Sequence, residues 1–210
     1  MSYRVVVLIS GSGSNLQALL DAQHAGILGA TEVVLVVSDR ADAYGLQRAL
    51  GAGIPALSLP LPHPRQAALR TAWEGALADV IAAYTPDLIV LSGFMRVLSA
   101  TFLGRFPDRV INQHPAMLPE PGTKLYSQAG VELPVLRGAH VVADALRAGL
   151  PVTGCTIHRA TPAVDDGPVL ARAEVPILPS DDETALHERI KTEERRLLVE
   201  VVRRLAHALA

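Results

Sequence analysis

Residues 4–10 are RVVVLIS, and GSGSNLQ follows at once over residues 11–17. The first stretch is a continuous apolar run, which is typical of a strand buried on both faces of a parallel sheet. After the glycines, apolar residues recur at helical spacing, with Ser14 or Asn15 as possible caps. A strand, a glycine-rich turn and a helix in this order predict the first unit of an α/β fold.

The same alternation continues along the chain. Further strands are predicted over residues 32–39, 54–59, 86–93, 108–114, 151–160 and 168–177. Further helices are predicted over residues 43–53, 65–84, 138–149 and 181–209. Residues 115–137 contain four prolines and little periodicity, so we predict an unusually long loop there. The pattern predicts an open, mostly parallel, twisted Rossmann-like sheet with helices on both faces, in one domain spanning 1–210.

Composition restricts the class of protein. The chain has 210 residues, of which 50% are hydrophobic and 19% charged, so it can bury a sizeable core. A net charge of −2 gives no basic excess that would favour nucleic acid or an anionic membrane. Cys155 is the single cysteine, which excludes an internal disulfide and favours a reducing compartment. The N-terminal apolar run is too short for a signal peptide or membrane span, so we expect a soluble cytoplasmic protein.

The glycine-rich turn is suited to binding an anion. Backbone N–H groups at the start of a helix, the helix dipole and glycines that permit close approach all favour a phosphate at residues 11–15. A dinucleotide fingerprint would require a third glycine where Leu16 stands. Asp39, near the end of the second predicted strand, is placed where a ribose-binding acid would lie and keeps a nicotinamide enzyme open. A monophosphate fits better, and a tight turn that binds nothing is the alternative.

The fifth predicted strand ends in polar side chains. Residues 110–115 are VINQHP, in which Asn112 and His114 lie two apart and therefore project to one face, with Gln113 on the other. Ligands of open parallel sheets bind beyond the carboxyl ends of the strands. An amide donor beside an imidazole can stabilise an oxyanion and move a proton. A capped histidine at the start of a loop is the competing interpretation.

Three further features have a functional and a structural interpretation. Asp165 and Asp166 precede a Gly-Pro pair. In the functional interpretation, a carboxylate there would raise the pKa of a nearby His114. In the structural interpretation, the two aspartates form an ordinary turn. His158 faces the same cleft or is a satisfied core histidine. The apolar residues of 94–98 line a slot for a flat ring or simply pack a short helix. No metal site is expected, since the histidines are scattered and Cys155 has no ligand partner at diagnostic spacing.

Five motifs in order carry a resemblance to a known family. They are VVVLISGSGSNLQAL, DLIVLSGFMRVLS, VINQHPAMLP, VTGCTIHRATPAVDDGPVLA and IKTEERRLL. Over residues 3–198 the sequence closely resembles the phosphoribosylglycinamide formyltransferase family of purine biosynthesis. Asn-x-His-Pro with a later Asp-x-Gly-Pro is shared by the folate-dependent formyltransferases of this fold. Compared with that shared pair of motifs, the Gly-Ser-Gly-Ser-Asn turn is more specific for the family that acts on glycinamide ribonucleotide.

The resemblance implies that 10-formyltetrahydrofolate donates a formyl group to the amine of glycinamide ribonucleotide, without a metal. It implies three catalytic residues: Asn112, His114 kept cationic by Asp165, and Asp165 itself, chosen over Asp166. For the ribonucleotide it implies Gly13, Ser14 and Asn15 at the phosphate, and Glu194, with Glu193 as the alternative. For the folate it implies Met95, Arg96, Val97, Leu98, Asn112, His140 and Arg70, with Arg65 as the alternative. We expect small-molecule substrates and a monomer or homodimer.

Two departures from the family pattern are visible in the sequence. The segment 115–137 is longer than the family usually has, and its stretch PEPGTKLYSQAGVELP does not match the family pattern. Gln113 stands where the family usually has an apolar residue between the asparagine and the histidine, and we expect its side chain to point away from the site. Formyltetrahydrofolate deformylase and methionyl-tRNA formyltransferase share the motif but carry extra domains. A non-catalytic nucleotide-binding module and the nicotinamide enzyme are the remaining alternatives.

Overall fold

The structure is a computed structural model that describes residues 2–61, 65–128 and 131–208. The end of the last predicted helix, residue 209, lies outside these ranges. The chain forms two compact units, residues 1–111 with 202–210, and residues 112–201. The single domain over 1–210 stays a prediction.

The first unit is built on parallel strands and the helices that connect them. Its elements are β1 (Tyr3–Ile9), α1 (Ser14–His24), β2 (Thr31–Ser38), α2 (Tyr44–Gly51), β3 (Ala56–Ser58), α3 (Ala67–Ala83), β4 (Leu88–Leu91) and α4 (Ala100–Arg105). β1 pairs in parallel with β2 and β4, and β2 with β3. Val5 to Ile9 are fully buried, as expected of a strand covered on both faces.

The start of α1 differs from the prediction. Its N-cap is Gly13, in the left-handed conformation (φ 69°), and no side chain caps the helix. The expectation that Ser14 or Asn15 caps it is therefore wrong. Because glycine adopts positive φ without steric cost, the chain turns at Gly13 and Ser14 already belongs to the helix.

The second unit contains the departures from a purely parallel sheet. β5 (Val110–His114) enters it from the first unit, and the later elements are β6 (Leu125–Gln128), β7 (Val131–Pro134), α5 (Val141–Arg147), β8 (Val152–Arg159), β9 (Val169–Pro176) and α6 (Glu183–His207), whose residues from 202 onward belong to the first unit. β8 and β9 are antiparallel. The sheet has seven strands in the order β3-β2-β1-β4-β5-β8-β9. The predicted α/β fold with a mostly parallel sheet is confirmed.

The described residues of 115–137 include two strands, so the prediction of one long loop there is wrong. β6 and β7 form an antiparallel two-stranded sheet in which Tyr126 lies opposite Leu133. Both side chains are buried in one cluster with Met117. This apolar contact explains why two short strands form where the sequence shows little alternation. In the described ranges no helix is long and apolar enough to span a membrane.

Candidate active site

β5 presents an amide and an imidazole at its carboxyl end. His114 is buried, and its Nε2 lies 2.8 Å from the carbonyl oxygen of Leu136. Its Nδ1 lies 3.4 Å from Oδ2 of Asp165. Because a carbonyl oxygen only accepts, these contacts assign a proton to Nε2, which donates to Leu136. The backbone thus holds Nε2, and Nδ1 faces the Asp165 carboxylate, to which it donates only when the ring is protonated.

The net effect of these surroundings is to lower the pKa of His114. Burial is the largest cause, because it disfavours the charged ring. Asp165 and the Leu136 carbonyl raise the pKa, but they do not outweigh burial together with His158 and Arg137. The predicted net upward shift of the His114 pKa is therefore wrong. Asp165 acts in the predicted direction, but desolvation dominates.

Asp165 lies in a turn and has a left-handed backbone conformation with φ of 51°. Its Oδ1 is 3.4 Å from Nδ2 of Asn112, and its Oδ2 accepts from the N–H of Gly138 at 3.2 Å. Burial alone would raise the pKa of Asp165, but the neighbouring imidazoles of His158 and His114 and the Gly138 N–H together lower it. Asp165 is therefore the ionised acceptor of the cluster.

His158, for which the sequence left two interpretations open, is both buried and in contact with the cluster. Its Nδ1 donates to the carbonyl oxygen of Arg159 at 2.9 Å. Its Nε2 lies 3.2 Å from Nδ2 of Asn112 and 3.7 Å from Oδ1 of Asp165. A neutral ring accepts from Asn112, and a protonated one donates to Asp165. The Asn112 amide nitrogen is thus engaged on two sides.

The turn that carries Asp165 depends on the glycine that follows it. A Cβ added at Gly167 would lie 1.8 Å from the carbonyl oxygen of Arg159. The turn therefore approaches β8 closely enough that only glycine fits. This contact is a physical reason for the glycine of the Asp-x-Gly-Pro pattern.

The glycine-rich turn of the first unit is held by close backbone contact and by an arginine. A Cβ added at Gly13 would lie 2.6 Å from Cα of Gly45. Arg48 donates from Nε to the carbonyl oxygen of Ser12 at 2.8 Å and from Nη1 to Oε1 of Gln17 at 2.9 Å. Ser14 and Asn15 open α1, where the backbone N–H groups lack helical partners. The predicted phosphate-binding residues are therefore contiguous on one fixed turn.

The residues predicted to bind folate in the first unit also lie together. Residues 94–99 are irregular rather than helical; Met95 and Val97 are exposed by 64% and 53%, whereas Phe94 and Leu98 are buried. Arg70 donates from Nη2 to the carbonyl oxygen of Val97. This contact favours Arg70 over the alternative arginine as a neighbour of the segment.

The side chain of Arg96 points to a carboxylate of the same unit. Its Nε lies 2.6 Å from Oδ2 of Asp39, whose side chain is almost fully buried. Ser10 donates from Oγ to Oδ1 of Asp39 at 2.5 Å. Asp39 is thus already engaged by protein groups, which leaves no support for a ribose-binding role.

The remaining predicted residues are spread over the second unit. Glu194 is buried on α6, and its backbone oxygen accepts from Nε2 of Gln113 at 3.4 Å. Gln113 is buried and contacts the backbone of a predicted site residue, although it was expected to face away. Glu193, the alternative to Glu194, pairs with Arg196 at 2.9 Å. His140 is exposed and immediately precedes α5.

Comparison with known proteins agrees with this geometry. The family model described as formyl transferase matches residues 3–202. The chain belongs to the formyl transferase family. It is 44% identical over 204 residues to phosphoribosylglycinamide formyltransferase of Mycobacterium tuberculosis (strain CDC 1551 / Oshkosh), covering 97% of this chain and 85% of that protein. It is 37% identical over 193 residues to the Escherichia coli (strain K12) protein of the same name, covering 92% of this chain and 82% of that protein.

A solved structure gives the same result. The crystal structure of glycinamide ribonucleotide transformylase 1 from Symbiobacterium toebii superposes with a TM-score of 0.86 at 40% identity. The match covers 99% of this formyl transferase and 89% of that chain. Among the described residues, no group of three His, Cys, Asp or Glu side chains could hold a metal ion.

Sequence reasoning missed two residues beside the His114–Asp165 cluster of this formyl transferase and one at its glycine-rich turn. Leu136 supplies a backbone oxygen to His114, and Arg137 donates to the carbonyl oxygen of Asp165 at 3.0 Å. Arg48 holds the glycine-rich turn. No local pattern marks Leu136 or Arg137, because they lie in the segment predicted as a loop. Arg48 is visible in the sequence as a cation on the helix after the second strand. Its contact with the glycine-rich turn could not be predicted, because it depends on the tertiary contact of Gly13 with Gly45.

Proposed function

We propose that this formyl transferase moves the formyl group of 10-formyltetrahydrofolate to the primary amine of N1-(5-phospho-D-ribosyl)glycinamide. The products are the N2-formyl ribonucleotide and tetrahydrofolate, in the route to IMP. The observation that carries the proposal is the cluster of Asn112, His114 and Asp165 within hydrogen-bonding reach in one unit. The names of the Mycobacterium tuberculosis and Escherichia coli relatives support the same reaction.

The chemistry is acyl transfer through a tetrahedral oxyanion. The amine attacks the formyl carbon, and negative charge develops on the formyl oxygen. Asn112 then donates from Nδ2 to that oxygen, exchanging its 3.4 Å contact with Asp165, which is the longer of its two present contacts. Preorganised donors of this kind contribute on the order of 10²- to 10³-fold to the rate.

Proton movement is assigned to the imidazole and the carboxylate. Asp165, whose pKa is lowered, is ionised at neutral pH and accepts the proton that the attacking amine loses, directly or through a water. Burial lowers the pKa of His114 in the resting enzyme, and negative charge that develops beside the ring raises it, so Nδ1 can receive the proton from Asp165. The proton finally passes to the folate nitrogen as the C–N bond breaks. No covalent enzyme intermediate is required.

Substrate recognition is assigned to residues of each unit. The ribonucleotide phosphate is bound by Gly13, Ser14 and Asn15, where the α1 terminus presents N–H groups. Glu194, a buried acid of the second unit, contacts the glycinamide end. Exposed apolar side chains at Met95 and Val97 are suited to a flat pterin ring.

The other proposed folate contacts follow from the motifs. Arg96 and Leu98 contribute through backbone, since the Arg96 guanidinium is bound to Asp39 and Leu98 is buried. Arg70 faces the folate tail, and His140 contacts the folate from its position before α5. We also propose one domain over 1–210, and a cytoplasmic monomer or homodimer that acts on small molecules and not on nucleic acid.

The experiment follows release of folate from 10-formyltetrahydrofolate, with and without glycinamide ribonucleotide. Release only with the ribonucleotide supports the transferase. Release with formate in its absence would identify a hydrolase, because the same three side chains can act on water. No release in either mixture would favour a binding module without catalysis.

A further inference from the structure

Three consecutive residues after β7 include contacts to the side chains of two proposed catalytic residues, His114 and Asp165. The carbonyl oxygen of Leu136 accepts from Nε2 of His114 at 2.8 Å. Arg137 donates from Nε to the carbonyl oxygen of Asp165 at 3.0 Å, and the N–H of Gly138 donates to Oδ2 of Asp165 at 3.2 Å. We refer to residues 136–138 as the strap. It touches the imidazole, the carboxylate and the backbone of the proposed site.

The second bond of Arg137 fastens the strap to the neighbouring aspartate. Its Nη2 lies 2.7 Å from Oδ1 of Asp166. The same oxygen accepts from the N–H of Gly122 at 3.2 Å. Gly122 precedes β6 and Arg137 follows β7, so Asp166 holds both ends of the β6–β7 hairpin.

The hairpin gives the strap a fixed base. Tyr126 and Leu133 are buried against Met117, with Leu150 and Val152 packed beside them. Arg172 lies over the Tyr126 ring with its guanidinium carbon 5.6 Å from the ring centroid. Movement of the strap away from the site would therefore disturb a packed apolar cluster.

The position of Asp165 requires outside support. Its φ of 51° is a conformation that a residue with a side chain rarely adopts, so the surroundings must hold it. Arg137 supplies that support with a planar fork that reaches the Asp165 backbone and the Asp166 carboxylate together. The ion pair is about one-third exposed on each side, so its role is geometric more than energetic.

We propose that Arg137 is a positioning residue for catalysis: it fixes the Asp165–Asp166 turn against the strap and thereby sets the Asp165 carboxylate relative to His114. The inference rests on the proposed function. Replacing Arg137 would let the turn relax, and a displacement of about 1 Å can cost on the order of 100-fold in rate. Substrate affinity would change little, because Arg137 is not assigned a contact with either substrate.

The first test compares Arg137→Ala and Arg137→Lys with Arg147→Ala. Arg147 forms an exposed ion pair with Asp144 within α5 and is the matched control. We expect kcat of Arg137→Ala to fall by about 10- to 100-fold with both KM values within about threefold, partial recovery in the lysine variant, and no change in the control. Wild-type kcat in Arg137→Ala, or a loss no larger than that of Arg147→Ala, would overturn the proposal.

The Asp166→Ala variant and the double variant with Arg137→Ala complete a cycle. We expect the two losses in kcat to be strongly non-additive, since both remove one interaction. Additive losses would contradict the shared role. A wild-type enzyme that is inactive with glycinamide ribonucleotide would instead refute the proposed function, which keeps the two failures distinct.

Discussion

Replacing Gly167 by alanine should damage the proposed site through backbone displacement alone. The added Cβ would lie 1.8 Å from the carbonyl oxygen of Arg159, 3.0 Å from its carbonyl carbon and 3.0 Å from Cγ2 of Thr161. A carbon–oxygen contact in proteins is normally about 3.4 Å, so the turn and β8 must separate by about 1.6 Å. The nearest atom is backbone, so no side-chain rotation relieves the clash.

The size of the effect follows from this displacement. Overpacking costs about 1–3 kcal/mol, and a backbone clash belongs at the upper end. For a chain of this length, about 3 kcal/mol lowers the melting temperature by about 6–12 °C. Asp165 lies two residues before Gly167, and a shift of more than 1 Å at its carboxylate should lower kcat by about 100-fold or more.

The assay measures melting temperature and formyl-transfer rate for Gly167→Ala beside Gly75→Ala. Gly75 lies inside α3, and an added Cβ there meets no atom within 4 Å. That variant should keep its activity and melt at the same or a higher temperature, because alanine is the better helix former. Wild-type stability and rate in Gly167→Ala would refute the close approach of the turn to β8.

Three other perturbations have defined outcomes. Asp39→Ala removes the carboxylate bound to Arg96, and should lower the free energy of unfolding in urea by about 1.5–3 kcal/mol and raise the KM for the folate alone. Unchanged values would contradict the role of Asp39 in holding the folate-binding segment. Burial, with Glu194 nearby, raises the pKa of the Cys155 thiol to about 12, so a thiol reagent at pH 8 should label this cysteine only in denaturant. Rapid labelling of the native protein would contradict this burial. The pKa of His114 is lowered in the folded state, so the unfolded chain binds a proton at a higher pH than the folded chain, and stability should fall as pH drops through about 6.5. His114→Asn should reduce this slope of stability against pH in melting experiments, and an equal slope would contradict the lowered pKa.

The sequence predicted those features that depend on local pattern. β1 was predictable because Val5 to Ile9 form a continuous apolar run, and a strand buried on both faces requires such a run. Asn112 and His114 could be placed on one face because strand periodicity is two. The resemblance connected them with Asp165, a contact between distant parts of the chain that periodicity could not supply.

Other features depend on tertiary contacts that leave little local signal. The β6–β7 hairpin is stabilised by burial of Tyr126 and Leu133 against Met117, and its four-residue strands are too short to show a clear period. The direction of the His114 pKa depends on how deeply the ring is buried, which the sequence does not state. The N-cap at Gly13 required knowledge of its backbone angle.

The most direct test of the account compares Asp165→Asn with Asp166→Asn in the formyl-transfer assay. Both residues lie in one turn and accept hydrogen bonds, but only Asp165 is assigned to the reaction. The account predicts that Asp165→Asn lowers kcat by about 10²- to 10⁴-fold. Asp166→Asn keeps an oxygen that can accept from Gly122 and Arg137, so its kcat should stay within about tenfold of the wild type. An active Asp165→Asn enzyme, or a larger loss in Asp166→Asn, would contradict the proposed catalytic cluster.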